Sequence, residues 1–342
     1  MLLTVITGIV DTGIVMADTD STVRNPDPSL AAHAARLVRA SARKSFDPFA
    51  AIDWSVPIDD TRFYLPPDCL PLYGTEPWRR MSEKDRIAYS RHETAALCGT
   101  GIWLENILMR MVVDHLYDLL PTDPTLRYLL VEVGDECRHS AMFGEFVRLA
   151  GTPAYRPSAR LRWFGKLARG AFGGPAAFLA ILAAEELLDS VNRRTMKDRS
   201  LHPVSREIAR IHVIEEARHV SFAKVFLERE LPRLNPLRRR ILRWVAPLVV
   251  HVVADAMIQP GIFETLGIRN GEALARSNPL RQLRVIDDLA SLVEFLEQIS
   301  VITDGTRPFW AELGLCAHRP AKARPVPGII APALPLMRES RP

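Results

Sequence analysis

Apolar residues recur at helical spacing along most of the chain, and no stretch shows the sustained alternation of apolar and polar positions that marks a half-buried strand. Four long helical patterns dominate, and each begins beside a capping residue or a proline that favours a helix start. They cover about 82–120, 123–151, 176–197 and 203–231. The sequence therefore predicts an all-α fold built around four long helices.

Shorter patterns flank these four. We predict an amphipathic helix at 28–46, an extended proline-containing connection at 47–80, and further helices at about 236–266 and 281–303. A single helical domain over 28–317 follows. Residues 1–27 read as a flexible arm, with Met16 as an alternative start, and 318–342 read as a proline-rich basic tail that we expect to be disordered.

Composition narrows the class of protein but does not indicate a function. The chain has 342 residues, of which 48% are hydrophobic and 25% charged, with a net charge of +4, so it is globular and needs no nucleic-acid partner. Its four cysteines form no CxxC pair, which argues against a disulfide framework or a zinc ribbon and favours a cytoplasmic protein. The apolar run 241–258 contains Arg243 and Asp255, which favours a buried helix over a membrane span.

The strongest candidate for chemistry lies in the fourth long helix. His212, Glu216 and His219 stand at positions i, i+4 and i+7, so one face of this helix carries two imidazoles and a carboxylate. The second long helix carries a related motif, because Glu136 and His139 repeat the spacing of Glu216 and His219. Iron, manganese or zinc could bind to such a face.

A ferritin-like di-iron bundle needs one inward glutamate from each of the other two helices. Glu105 lies in an apolar stretch of the first long helix, where little of the surface is left for solvent. In the third, either Glu185 or Glu186 fits, and the periodicity slightly favours Glu185. A ferritin-like four-helix bundle with additional flanking helices is therefore the predicted architecture.

Four carboxylates and at least two histidines would converge inside this bundle. Such carboxylates cannot all ionise in a low dielectric without cations, and oxygen-rich ligation with imidazole suits iron or manganese. Polar residues beside the motifs are candidates to orient the ligands and to balance their charge; these are Glu132, Asp135, Arg138, Glu215 and Arg218.

The complete set resembles the AurF-type di-iron N-oxygenases of the ferritin-like superfamily, typified by p-aminobenzoate N-oxygenase. Members of that family carry an extra histidine four residues before the second motif's glutamate, where this chain has His212 before Glu216. The resemblance also matches Glu185 rather than Glu186. It implies a metal centre formed by Glu105, Glu136, His139, Glu185, His212, Glu216 and His219.

The resemblance further implies two iron ions, with manganese as the less favoured metal, and O2 as co-substrate. Family members oxygenate an amine nitrogen, in several cases carrying an arylamine through hydroxylamine and nitroso stages to a nitro group. No G-x-G-x-x-G follows a strand, so electrons are expected from an external reductase or ferredoxin. We expect a small-molecule amine substrate and neither a nucleic acid nor a membrane as partner; the sequence leaves a homodimer open.

Rival functions differ at single positions. A ribonucleotide reductase subunit keeps a radical tyrosine four residues after the first motif's histidine, where this chain has Phe143. A di-iron C–H hydroxylase or acyl desaturase differs mainly in lacking the equivalent of His212. A non-enzymatic metal-binding helical protein is the alternative from another class, but storage of iron gives no reason for that extra histidine.

Overall fold

The computed structural model describes residues 27–157, 162 and 174–318. Helices and their connections make up these segments, and none of the described residues lies in a strand, which confirms the all-α prediction. The arm predicted for residues 1–27 and the tail predicted for 318–342 fall almost entirely outside the described segments.

The helices follow one another from the beginning of the described chain to its end. They are α1 Pro28–Arg43, α2 Pro48–Ala51, α3 Glu76–Arg80, α4 Glu83–Leu116, α5 Pro124–Leu149, α6 Pro175–Lys197, α7 Pro203–Glu230, α8 Pro236–Ala256, α9 Pro260–Thr265, α10 Gly271–Ser277, α11 Pro279–Asp288, α12 Ala290–Gln298 and α13 Arg307–Glu312.

Side-chain caps define where the central helices begin. The Ser82 hydroxyl accepts a hydrogen bond from the backbone N–H of Asp85 at 3.2 Å and donates to the Asp85 carboxylate at 2.7 Å. Asp123 accepts from the backbone N–H of Thr125 at 2.8 Å, and Pro124 occupies the first helical position. Both ends therefore satisfy backbone donors that a helix start leaves free.

The four long helices α4, α5, α6 and α7 form the bundle. The most extensive contacts join α6 to α7 and α4 to α5, and further contacts join α5 to α7 and α4 to α6. Helix α1 packs across α5 and α7, while α8, α11 and α12 cover α6. Buried aromatic rings fill one end of the bundle; they include Tyr128, Phe178, Phe222 and Phe226. The helical bundle with flanking helices is thus as predicted.

Three predictions for the flanking segments were wrong. The helix expected at 236–266 ends at Ala256, and a second helix begins at Pro260, since proline readily takes the first position of a helix. The helix expected at 281–303 is interrupted at Leu289, between α11 and α12. The extended connection at 47–80 contains α2, α3 and a 3-10 turn at Pro67–Cys69, each begun by a proline or by a residue beside one.

Two described helical stretches, Glu83–Leu116 and Pro236–Thr265, are long and apolar enough to cross a membrane by length and composition alone. The apolar windows are 44% and 61% buried, respectively. The first stretch is α4, which contributes to the centre of the bundle, and buried core helices meet the same criterion. Length and apolarity alone are therefore weak evidence for a membrane span.

Candidate metal centre

All seven predicted ligand residues meet at the middle of the bundle. Helix α4 supplies one of them, α5 two, α6 one and α7 three. None has more than 2% of its surface exposed. Four overlapping groups have ligand atoms within 4.8 Å of one another: Glu105–His139–His212, Glu136–Glu216–His219, Glu185–His212–Glu216 and Glu105–Glu136–Glu185.

The two motif glutamates lie between the two motif histidines. Nδ1 of His139 is 3.1 Å from a carboxylate oxygen of Glu136 and 3.1 Å from one of Glu216. Nδ1 of His219 lies 2.8 Å from Glu216 and 3.0 Å from Glu136. Each glutamate therefore faces both imidazoles, and both carboxylates could serve as ligands to a metal held there.

His212 faces the same centre from one turn earlier on α7. Its Nε2 is 3.8 Å from a carboxylate oxygen of Glu105 and 3.8 Å from one of Glu216. Its ring lies 4.9 Å from that of His139 between centroids. The third histidine is thus part of the cluster, and it adds a nitrogen on the side of Glu105.

The Nε2 atom of each motif histidine contacts an acid on the helix that carries the other motif. Nε2 of His139 lies 2.9 Å from Glu215 on α7, and Nε2 of His219 lies 3.3 Å from Asp135 on α5. When Nε2–H donates to these acids, Nδ1 is left free of its proton to face the centre. The acid beside each motif therefore orients the histidine of the other motif.

Two arginines form charged contacts with Asp135. Arg218 donates to Asp135 at 3.1 Å, and Arg138 forms an ion pair with the same carboxylate. Despite burial, His219 and Arg218 hold the pKa of Asp135 below its usual range. Asp135 is consequently a charged acceptor, able to keep the proton of His219 on Nε2.

The residues that follow α1 close the outer side of the centre. The backbone N–H of Phe46 donates to Glu215 at 3.1 Å, and the Ser45 hydroxyl lies 3.4 Å from the same oxygen. Arg218 in turn donates to the carbonyl of Lys44 at 3.1 Å. No motif in the sequence points to this role, because these residues are about 170 positions from the motif that they contact.

Asn192 is a further residue that the sequence analysis did not assign. Its side-chain amide lies 3.1 Å from Nδ1 of His212. A metal bound at Nε2 leaves the ring proton on Nδ1. Nδ1–H then donates a hydrogen bond to the amide oxygen of Asn192, once the amide is rotated by 180° to exchange its oxygen and nitrogen. The available signal was its position two turns after Glu185, on the same face of α6.

In the metal-free cluster, the pKa values of the glutamates are shifted in opposite directions. Burial and the neighbouring carboxylates raise the pKa of Glu105 and of Glu185 well above the usual value. Burial alone would also raise the pKa of Glu136, yet His219 and a hydrogen bond from His139 lower it to about 2. Hydrogen bonds to glutamates conversely raise the pKa of His139 far above 6.5, in spite of its burial. Protons on the histidines thus supply the positive charge that the site requires.

Polar atoms without a partner show that this cluster suits metal ions. Within the described residues, Oε2 of Glu105, Oε2 of Glu185 and Nε2 of His212 are buried and have no hydrogen bond. Leaving such groups unpaired in a protein interior is costly. Two divalent cations would bind these atoms and would neutralise the carboxylates, and the oxygen-rich donor set with imidazole fits iron.

Glu132 and Glu186 lie close by but in different surroundings. Glu132 is buried with a pKa that burial raises to about 7, and it belongs to none of the four ligand groups. Glu186 points away and forms an ion pair of 2.5 Å with Lys224. Of the two adjacent glutamates of α6, Glu185 is the one that the structure brings to the centre.

Phe143 covers the histidines at the place where a radical enzyme would carry tyrosine. Its ring centroid lies 5.4 Å from that of His212 and 6.4 Å from that of His139. It also lies against Gly101 on α4, where an added Cβ would stand 3.1 Å from the ring. An apolar ring therefore shields this side of the centre, and position 143 offers no phenol.

Comparison with known proteins gives two findings. The family model described as p-aminobenzoate N-oxygenase AurF matches residues 27–300. Uncharacterized proteins of Mycobacterium bovis and Mycobacterium tuberculosis are 34% identical to this chain over 236 residues, which is 66% of this chain and 68% of each relative. Residues 27–300 contain the whole of the cluster described above.

Proposed function

The chain belongs to the AurF family of p-aminobenzoate N-oxygenases, and on that premise we propose that it is a di-iron oxygenase that transfers oxygen to the nitrogen of a small amine. Arylamines are the substrate class that we favour, with hydroxylamine, nitroso and nitro compounds as successive products. The family is a di-iron family, and the cluster of carboxylates and histidines fits such a centre.

The position of His212 is the observation that supports this function best. It places a third imidazole within 3.8 Å of both Glu105 and Glu216, in addition to the six residues that a ferritin-like centre needs. A hydroxylase or desaturase of the same fold does not need this residue. The extra nitrogen donor would tune the iron nearest to Glu105.

When two ferrous ions are bound, they supply the reducing electrons for O2 activation. The protein's own residues fix the geometry and exclude water. Glu136 and Glu216 hold their charge because of the adjacent histidines, and Phe143 excludes solvent beside His139. Asp135 and Glu215 hold the imidazole protons on Nε2, away from the reacting centre. We place the source of further electrons outside the chain, in a reductase or ferredoxin of the cytoplasm.

Iron loading followed by exposure to an amine tests the proposal. The purified protein is loaded anaerobically with ferrous iron, its metal content is counted, O2 is admitted, and a panel of arylamines is analysed for hydroxylamine, nitroso and nitro products. We expect about two irons per chain and oxidation of at least one arylamine. A protein loaded with manganese serves as the metal control.

Variants distinguish the loss of the iron site from a different reaction at an intact site. His212→Ala combined with Glu216→Ala should abolish iron binding and oxidation, whereas Glu228→Gln, at an exposed position of α7, should change neither. Full iron occupancy in the double variant would disprove the site. Full iron occupancy in the unaltered protein with hydroxylation or desaturation of C–H bonds, and no N-oxidation, would favour the alternative function of the bundle.

A further inference from the structure

A tyrosine and two glutamates stand in a row on one face of α5. Tyr128, Glu132 and Glu136 occupy positions i, i+4 and i+8, so the row ends at a ligand residue of the metal centre. None of the three has more than 1% of its surface exposed. Glu132 belongs to none of the four ligand groups, and neither it nor Tyr128 has a part in the function proposed above.

Tyr128 and Glu132 form a buried pair of a phenol and a carboxyl group. No hydrogen bond of ordinary geometry is made by the Tyr128 hydroxyl or by Oε2 of Glu132 in the described structure. The phenol is nevertheless near enough to act on the carboxyl. Burial raises the pKa of Glu132 to about 7, and both His219 and the hydrogen-bonding hydroxyl of Tyr128 oppose this rise. The carboxyl of Glu132 is thus placed to take the proton of the phenol.

Tyr128 also lies within electrostatic reach of the metal ligands. Burial and Glu132 raise the pKa of its phenol well above the usual value, while His219 lowers that pKa and Glu216 raises it. The ring of Tyr128 packs on that of Phe222 at 4.8 Å between centroids, and Phe222 follows His219 by three residues on α7. The phenol therefore lies next to the turn of α7 that carries a ligand histidine.

Aromatic side chains surround the ring of Tyr128. It belongs to the core cluster that contains Phe178, Phe222 and Phe226, and the Phe178 ring lies 4.0 Å from that of Phe226 between centroids. Apolar surroundings exclude water and dissolved reductants, so an oxidised ring would persist there. A phenol that loses an electron must also lose its proton, which hydrocarbon rings cannot accept. The ionised carboxylate of Glu132 can accept it.

We propose that Tyr128 is a redox-active residue that gives one electron to the iron centre once O2 has oxidised that centre in the absence of an amine, and that Glu132 accepts the accompanying proton. The O–H bond of the phenol breaks, the proton binds to the carboxylate of Glu132, and the electron reduces the oxidised centre by one equivalent. A neutral tyrosyl radical and a neutral carboxylic acid remain. The oxidant is the O2-oxidised di-iron centre, so the inference rests on the proposed function.

The chain contains a second pair of the same kind, which provides a matched control. Tyr89 and Glu93 stand at positions i and i+4 on α4, both are buried, and hydrogen bonding between them acts on the pKa of Tyr89. Glu93 precedes Glu105 by twelve residues, or about 18 Å of helix rise, whereas Glu132 precedes Glu136 by four, or about 6 Å. Electron transfer slows steeply with distance, so only the pair on α5 should react.

Electron paramagnetic resonance on the unaltered protein is the first test. Protein with ordinary tyrosine and protein with ring-deuterated tyrosine are loaded with ferrous iron, mixed with O2 without any amine, and frozen at successive times. We expect an organic radical whose hyperfine splitting narrows with the deuterium label, and none in metal-free protein. Absence of the radical, or a radical that the label does not change, would overturn the proposal whether or not any variant folds.

Two pairs of substitutions then assign the residues. Tyr128→Phe removes only the hydroxyl and should abolish the radical, whereas Tyr89→Phe should retain it. Glu132→Gln leaves the phenol without its base and should lower the yield of radical about tenfold or more, whereas Glu93→Gln should not change it. Iron content should be the same in all four variants, since none of these side chains belongs to a ligand group. A radical that persists in Tyr128→Phe would overturn the assignment.

Failure of this inference can be told apart from failure of the proposed function. A tyrosyl radical that depends on Tyr128, with no N-oxidation of any arylamine, would disprove only the oxygenase activity. N-oxidation of an arylamine, with no tyrosyl radical when the amine is left out, would disprove only the redox role of Tyr128.

Discussion

Nε2 of His139 lies 2.9 Å from a carboxylate oxygen of Glu215, although the two side chains belong to different helices. The reciprocal contact joins His219 to Asp135 at 3.3 Å. Each motif therefore contributes a ligand histidine and the acid that orients the other motif's histidine. The two helices α5 and α7 are coupled through the site, so a change beside one motif acts on the other.

Glu215→Ala should lower iron affinity about 10- to 100-fold, because removal of the acid leaves Nε2 of His139 without its acceptor. Glu215→Gln keeps an acceptor and should lose less. Iron titration monitored by absorbance measures both. The control is Glu207→Ala, since Glu207 on the same helix forms an ion pair of 2.7 Å with Arg210 near the surface. Equal affinity of Glu215→Ala and Glu207→Ala would contradict the orienting role.

Asn192→Ala should weaken metal binding at the position nearest to His212, because the ring loses the group that holds its Nδ1 proton. Asn192→Asp preserves an acceptor and should retain the metal. The measurement is the number of irons per chain at limiting iron. Asn106→Ala, at an exposed position of α4, is the control; a loss of iron in that variant as large as in Asn192→Ala would argue against a specific effect.

Adjacent glutamates on α6 should behave differently. Glu185→Ala should release about one of the two irons, because this carboxylate shares groups with His212, Glu216, Glu105 and Glu136. Glu186→Ala should keep both irons, since Glu186 pairs with Lys224 at 2.5 Å instead. Metal analysis after desalting decides between them. The reverse result would place the other glutamate in the site.

Iron affinity should rise with pH. In the metal-free protein, hydrogen bonds to glutamates raise the pKa of His139 despite its burial, and burial raises that of Glu105 and Glu185. Metal must displace these protons, and each one released gives about a tenfold gain in affinity per pH unit below the pKa concerned. Burial lowers the pKa of His212 to about 4, so this residue adds no proton release near neutrality.

Titrations with ferrous iron at about pH 6 and pH 7.5, in one buffer and at one ionic strength, measure this dependence. Proton release can be followed independently with a pH indicator at low buffer concentration. An affinity that does not change between the two pH values would show that the histidines and glutamates are already deprotonated before metal binds.

Much of the centre could be predicted from the sequence because helical periodicity alone places residues on a face. The spacing of Glu136 and His139, and of Glu216 and His219, required only that their segments be helical. Asn192 shares a face of α6 with Glu185, but its contact with His212 depends on how α6 packs against α7, which spacing within one helix does not report.

The segment after α1 binds the centre through Phe46 and Lys44, and these contacts join residues about 170 positions apart. The order of synthesis therefore matters. Residue 46 leaves the ribosome long before His219 is made, and closing so long a loop is slow compared with forming local helices. The oriented ligand set is complete only when α7 has folded against α5 and the segment after α1 has docked on both. The complete set of ligands can therefore form only after α7 has been synthesised.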